Sequence, residues 1–131
     1  MSTAVRMLVR QRATGRCEYC QLSQVASLLS FHIEHVIAVQ HGGESVEGNL
    51  ALACPHCNLH KEPNLTGIDP ISGRIEHLFN PRTDDGKEHF RFHEDRIHGL
   101  TPRGRTTLGV LAFNDDEQLE LRRMFSIQGR K

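Results

Sequence analysis

The chain has 131 residues, about one domain by the usual size range, and its 16 Lys and Arg balance its 16 Asp and Glu. Zero net charge argues against a non-specific polyanion binder. With no run of about 18 apolar residues, no helix is expected to span a membrane, and the N-terminus has no secretory h-region, so a soluble, cytoplasmic protein is expected. Trp is absent and aromatics are only 5%, so something besides packing is expected to contribute to stability. Residues 1–16 carry four Arg and no acid, whereas residues 17–73 carry Lys61 against Glu18, Glu34, Glu44, Glu47, Glu62 and Asp69. An acidic centre suits cation binding better than direct phosphate contact.

In chain order, residues 3–14 are predicted as a helix, with Val5, Leu8, Val9 and Arg12 at three- and four-residue spacing and Gly15 as its stop. Residues 21–30 carry no clear element. FHIEHVIAV (31–39) has the β-branched content of a strand, HGGESVEG (41–48) reads as a Gly-rich turn, and NLALA (49–53) as a second strand. A helix opens near Pro55, a residue tolerated in the first turn. Beyond Pro63, DPISG is a tight turn, RIEHLF a candidate strand and NPRTDDG a loop. FRFHEDRIHGL is predicted as a hairpin turning at Glu94-Asp95. A helix follows with Thr101 as N-cap and Pro102 at N1. Asn114 and Glu117 resemble a capping box opening a last helix that carries Leu119, Leu121, Met124 and Phe125. The whole reads as one domain over 1–131, with a core at about 5–62 and a C-terminal extension at about 63–131.

The four cysteines form two C-x-x-C pairs, Cys17/Cys20 and Cys54/Cys57, on either side of residues 21–53. Each pair places two sulfurs on one knuckle, and two knuckles complete a closed tetrahedral site for a structural Zn²⁺. The rival readings are disulfides, which need an oxidising compartment, and a redox pair, which needs a single motif at a helix start. A zinc clamped between residues 17 and 57 makes the intervening chain a tied loop, giving strand, turn, strand, helix with Glu34-His35 on the first strand. Adjacent strand residues face opposite ways, so Glu34 and His35 can serve one site only if the strand ends or twists there.

RCEYC (16–20), IEHVIAVQHGG (33–43), NLALAC (49–54) and PHCNLHK (55–61) together resemble the zinc-containing HNH endonuclease family. NPR, HFRF, RIHGLTPRGR and ELRR also resemble the C-terminal extension of one bacterial subfamily. The resemblance implies an α+β fold with a ββα-metal core, a structural four-cysteine zinc, flanking helices and a C-terminal hairpin plus helices. It implies His35 as general base and Glu34, where most members carry Asp, as a ligand of a catalytic Mg²⁺ or Mn²⁺. Asn58 becomes the second ligand of that ion, and Asn49 braces the loop and keeps the base oriented. The chemistry suits these types: histidine titrates near neutrality, and a hard cation needs only one or two protein oxygens.

The implied function is hydrolysis of DNA phosphodiesters, leaving a 5′ phosphate and a 3′ hydroxyl. The alternatives are a zinc-stabilised nucleic-acid or protein-binding module with a vestigial site, and a redox or zinc-sensing protein. Plainer readings stand beside each residue. His32, on the Glu34 face by alternation, either touches phosphate or metal or is a partly exposed strand residue; His41 belongs to the turn; His56 and His60, four apart on a helix, have a spacing that can hold a metal but are expected to face solvent. Lys61 meets a phosphate or balances Glu62, itself a weak third-ligand candidate. Arg6, Arg10, Arg12, Arg16, Arg103 and Arg105 either grip a DNA backbone or form solvated faces. Strandedness, sequence preference and oligomeric state are not encoded in these motifs.

Overall fold

The computed structural model describes residues 1–129, with side chains described through Phe125. Helix α1 (Thr3–Ala13) is capped by Ser2, whose hydroxyl accepts from Val5 N, and ends in left-handed Thr14 and Gly15. Its inward face is Val9 and Ala13, with Val5 partly covered. Leu8, expected on that face, is 39% exposed.

Strands β1 (His32–His35) and β2 (Leu50–Ala53) pair antiparallel, with His32 opposite Ala53 and His35 opposite Leu50. All four β2 residues are buried, because α1 packs on this pair while Glu18 lies along its other margin. There Glu18 N donates to Leu52 O at 2.8 Å, and Leu52 N donates back to Glu18 Oε1 at 2.9 Å. Helix α2 (Pro55–Lys61) follows directly, with Cys54 as N-cap and Pro55 in the first turn. The predicted strand over 31–39 is therefore shorter than its β-branched content suggested: it stops at His35, and a 3₁₀ turn occupies Val39–His41.

The C-terminal part adds two further hairpins and three helices. Strands β3 (Thr66–Ile68) and β4 (Ile75–His77) flank the DPISG turn, and β3 was not foreseen. Helix α3 (Gly86–His89), also unforeseen in NPRTDDG and its flank, is capped by Asp85. Strands β5 (Phe90–His93) and β6 (Arg96–Gly99) form the predicted hairpin. Helix α4 (Pro102–Val110) has Thr101 as N-cap and Pro102 in its first turn, as its sequence indicated, and α5 (Asp116–Gly129) completes the described chain.

The capping box at Asn114 and Glu117 does not form. The Asn114 amide serves the sheet instead: Oδ1 accepts from Ile97 N at 3.0 Å and Nδ2 donates to Ile97 O at 2.8 Å. The side chain thus acts as an extra strand beside β6, a role no local spacing announces. Buried Arg122 of α5 donates to Asp95 O at 2.8 Å and to Phe113 O, tying the β5–β6 turn to the last helix. One hydrophobic core runs from Val9, Phe31 and Leu50 through the cysteines to Leu78, Phe79, Ile97, Leu111 and Phe113. Phe79 meets Phe90 edge-on at a centroid distance of 5.2 Å, and Phe90 meets Phe113 in a tilted arrangement at 5.6 Å. The architecture is α+β, built from small antiparallel sheets and helices around a buried four-cysteine cluster.

Candidate active site and zinc centre

Cys17, Cys20, Cys54 and Cys57 are free thiols, all buried, and their sulfurs lie within 4.8 Å of one another. The knuckle shape is set locally. Gln21 N donates to Cys17 O and Cys17 N to Leu22 O, both at 2.9 Å, with Gln21 at φ 66° making the turn. In both knuckles the second cysteine's backbone N–H points at the first sulfur, Cys20 N to Cys17 Sγ at 3.5 Å and Cys57 N to Cys54 Sγ at 3.4 Å. Cys20 Sγ and Cys54 Sγ are 3.7 Å apart. Ligands on a tetrahedral ion with Zn–S bonds of about 2.3 Å are separated by about 3.8 Å, so the cluster fits zinc. Burial, followed by the neighbouring sulfurs, raises the Cys57 thiol well above its ordinary range. Holding thiolates here would take a cation, and Zn²⁺ on the four cysteines would supply it.

The cysteine cluster abuts the Glu34 layer. Tyr19, inside the first knuckle, and Lys61, at the end of α2, are 3% and 2% exposed and both act electrostatically on Glu34. Burial raises the Glu34 carboxyl, and the Lys61 charge and the Tyr19 hydroxyl only partly pull it back. Tyr19 is in turn raised well above its usual value by burial and then by Glu34. The two groups are neighbours without a well-formed hydrogen bond: Tyr19 Oη and Glu34 Oε1 are both buried and unpartnered. Lys61 Nζ donates to Val36 O at 2.9 Å. Both readings of Lys61 as a surface cation are thereby corrected: it is a buried strut between α2 and the end of β1.

Glu34 and His35 border the same open groove because β1 ends at His35. An opening of about 460 Å³ is lined by His32, Glu34, His35, Val39, Asn58 and Glu62, among others. His35 Nε2 meets Ser45 Oγ at 2.8 Å. Asn58 stands at the groove from the first turns of α2, and its amide has no hydrogen-bond partner among the described residues. The Glu34 carboxylate, the Asn58 amide and exposed Glu62 all line this opening, an oxygen-rich donor set that fits a hard divalent ion. His41 stays outside the groove, exposed in its 3₁₀ turn.

Asn49 lies behind this wall rather than in it. Its Oδ1 accepts from Ile37 N at 2.9 Å, and its Nδ2 donates to Ile37 O and Glu44 O at 3.0 Å each. The backbone adds Val36 N to Asn49 O at 2.8 Å. Gly43 is required in this loop: a Cβ there would lie 1.7 Å from Ile37 O and 2.9 Å from Asn49 Nδ2.

The arginines considered for DNA are mostly engaged within the protein. Arg10 donates to Phe31 O at 3.2 Å, Arg12 to Leu50 O, and Arg16 to Gln21 O at 2.9 Å. Arg103 forks onto Asp84 and Arg105 onto Asp69. Sequence reasoning missed Tyr19, Ser45 and the inward turn of Lys61. The only signals for them are that Tyr19 sits inside a knuckle, Ser45 in the Gly-rich turn, and Lys61 three residues after Asn58.

Against known families, the HNH endonuclease model matches residues 17–64. No curated protein and no solved structure gives a significant match. The matched segment begins at the first zinc-knuckle cysteine and ends just past α2, so it encloses the cysteine cluster and every residue of the groove. The similarity to HNH endonucleases thus lies in residues 17–64, the stretch that also holds the cysteine cluster.

Proposed function

We propose that the protein is a metal-dependent DNA endonuclease whose active site is the groove at the end of β1, the strand–strand–helix unit acting as a ββα-metal core. The observation that carries this reading is the convergence of Glu34, His35 and Asn58 on one open groove, with a Glu34 oxygen buried and unpartnered. His35 is the general base. With its Nε2 hydrogen donated to Ser45 Oγ, Nδ1 keeps the lone pair that takes a proton from water. The resulting hydroxide attacks phosphorus, the P–O3′ bond breaks, and the departing oxygen is protonated by solvent. Glu34 and Asn58 hold Mg²⁺ or Mn²⁺, which when bound neutralises charge on the phosphoryl and leaving oxygens. Asn49 fixes the loop that follows His35, and Tyr19 and Lys61 back Glu34 from the buried side.

A second reading is a zinc-stabilised binding module in which Glu34, Lys61 and Tyr19 are a buried polar scaffold. It is favoured by the internal engagement of most of the candidate DNA-contacting arginines. Incubation with supercoiled plasmid separates the two. Nicking is expected with Mg²⁺ or Mn²⁺, blocked by EDTA and restored by Mg²⁺ alone, a recovery that zinc loss would prevent. Glu34→Ala is expected to need more Mg²⁺ than the wild type. Retained plasmid binding without nicking in any metal would favour the module.

A further inference from the structure

Helix α2 presents Asn58 to the groove, and about 200° around the helix it presents a second set of ligands. His56 and His60, one turn apart and both half-buried, have tilted rings with centroids 4.2 Å apart. Asp115, exposed in the turn between α4 and α5, reaches the same place: one ligand atom from each of His56, His60 and Asp115 lies within 4.8 Å of the others. The Ala112 carbonyl organises the three. It accepts from His56 Nε2 at 2.9 Å and from the Asp115 backbone N at 3.3 Å, with Ala112 itself held at φ 50°. A carbonyl can only accept, so His56 Nε2 carries the hydrogen and Nδ1 keeps its lone pair. Donation of one ring N–H to a backbone carbonyl is the usual way a metal-ligating histidine is oriented.

We propose that His56 Nδ1, His60 and Asp115 form a second divalent metal site, separate from the cysteine cluster and from the groove. Two imidazoles and one carboxylate suit a borderline transition ion such as Zn²⁺, Ni²⁺, Co²⁺ or Cu²⁺ and disfavour Mg²⁺. Three protein ligands leave a position for water. Bonds of about 2.0–2.1 Å place tetrahedral ligands roughly 3.3 Å apart, so binding draws the exposed Asp115 carboxylate inward by a rotamer change. The ion fastens α2, inside the HNH segment, to the α4–α5 turn, outside it.

The test is a calorimetric titration of Ni²⁺ into the zinc-loaded full chain, for the wild type, Glu34→Ala, His60→Ala and Asp115→Asn. Glu34→Ala accounts for any ion taken by the groove. His60→Ala is expected to lose one equivalent of Ni²⁺, and Asp115→Asn to bind that equivalent at least tenfold more weakly, while both keep one zinc per chain. Added Ni²⁺ is expected to raise the melting temperature of the wild type and not of His60→Ala. Equal Ni²⁺ uptake by the wild type and His60→Ala would overturn the proposal. So would loss of the equivalent in His60→Ala with unchanged binding in Asp115→Asn, which would leave only a surface histidine pair.

Discussion

Lys61 ends α2 with its ammonium turned inward, on the Val36 carbonyl and within electrostatic reach of Glu34. Burial lowers the affinity of this lysine for its proton, and Glu34 opposes that. Lys61→Met keeps the apolar stem but removes the charged donor from a buried carbonyl. A hydrogen bond from a charged group contributes about 1.5–3 kcal/mol, so the variant is expected to unfold at lower urea with an unchanged m-value. An unmoved midpoint would mean that Lys61 is no strut. From sequence alone this lysine, next to Glu62 at a helix end, has the pattern of a solvated pair. Only the return of the chain at Val36 supplies the partner that turns it inward. Glu34 and His35 were more legible, because their motif fixes type and spacing together. What the motif left open, how two adjacent strand residues reach one groove, is answered by the strand stopping at His35.

Among the elements, the β3–β4 hairpin is held by one carboxylate. Asp69 accepts from Ile71 N at 3.1 Å and Ser72 N at 3.4 Å within its own turn, and from Arg105 of α4 at 3.0 and 2.8 Å. The Arg105 guanidinium, aided by those turn N–H groups against the opposing effect of burial, holds the Asp69 carboxyl well below the usual carboxylate range. A group whose pKa falls on folding stabilises the fold above its unfolded value, about 3.9 for Asp, and that contribution is lost as pH drops toward the folded value. Asp69→Asn is therefore expected to be less stable than the wild type at pH 7, with the gap beginning to narrow near about pH 5 and shrinking steadily as pH falls below about 4. Denaturant midpoints compared at each pH read this directly, and a gap that stays constant would contradict it. The β5–β6 hairpin and α4 were readable because alternation and a Thr-Pro start are local signals. β3, with Gly67 in a three-residue strand, has no such signal: its partners are β4 and the Thr106 and Val110 methyls of α4. Asn114 was misread for the same reason, since a cap and a strand mate have the same sequence and differ only in what lies opposite.

Across the whole molecule, the cysteine cluster joins the two ends of the HNH segment, and α1 and β2 pack in the same core. Metal binding at a closed four-cysteine site contributes directly to folding free energy. Stripping zinc with a strong chelator, or Cys54→Ser, is thus expected to abolish the cooperative thermal transition, and unchanged melting would refute a structural zinc. The arginines belong to the same framework: with Arg12 on the Leu50 carbonyl and Arg105 on Asp69, their loss should weaken the fold before it weakens any contact with phosphate. What this framework displays is the groove, and His35→Ala in the plasmid-nicking assay with Mg²⁺ tests that most directly. The half-exposed imidazole of His35 at a strand end supports little packing, so the variant should fold, keep its zinc and bind DNA. Its nicking rate should fall by about 10²- to 10⁴-fold, the usual contribution of one general base. A folded, zinc-loaded His35→Ala protein that nicks at the wild-type rate would contradict the assignment.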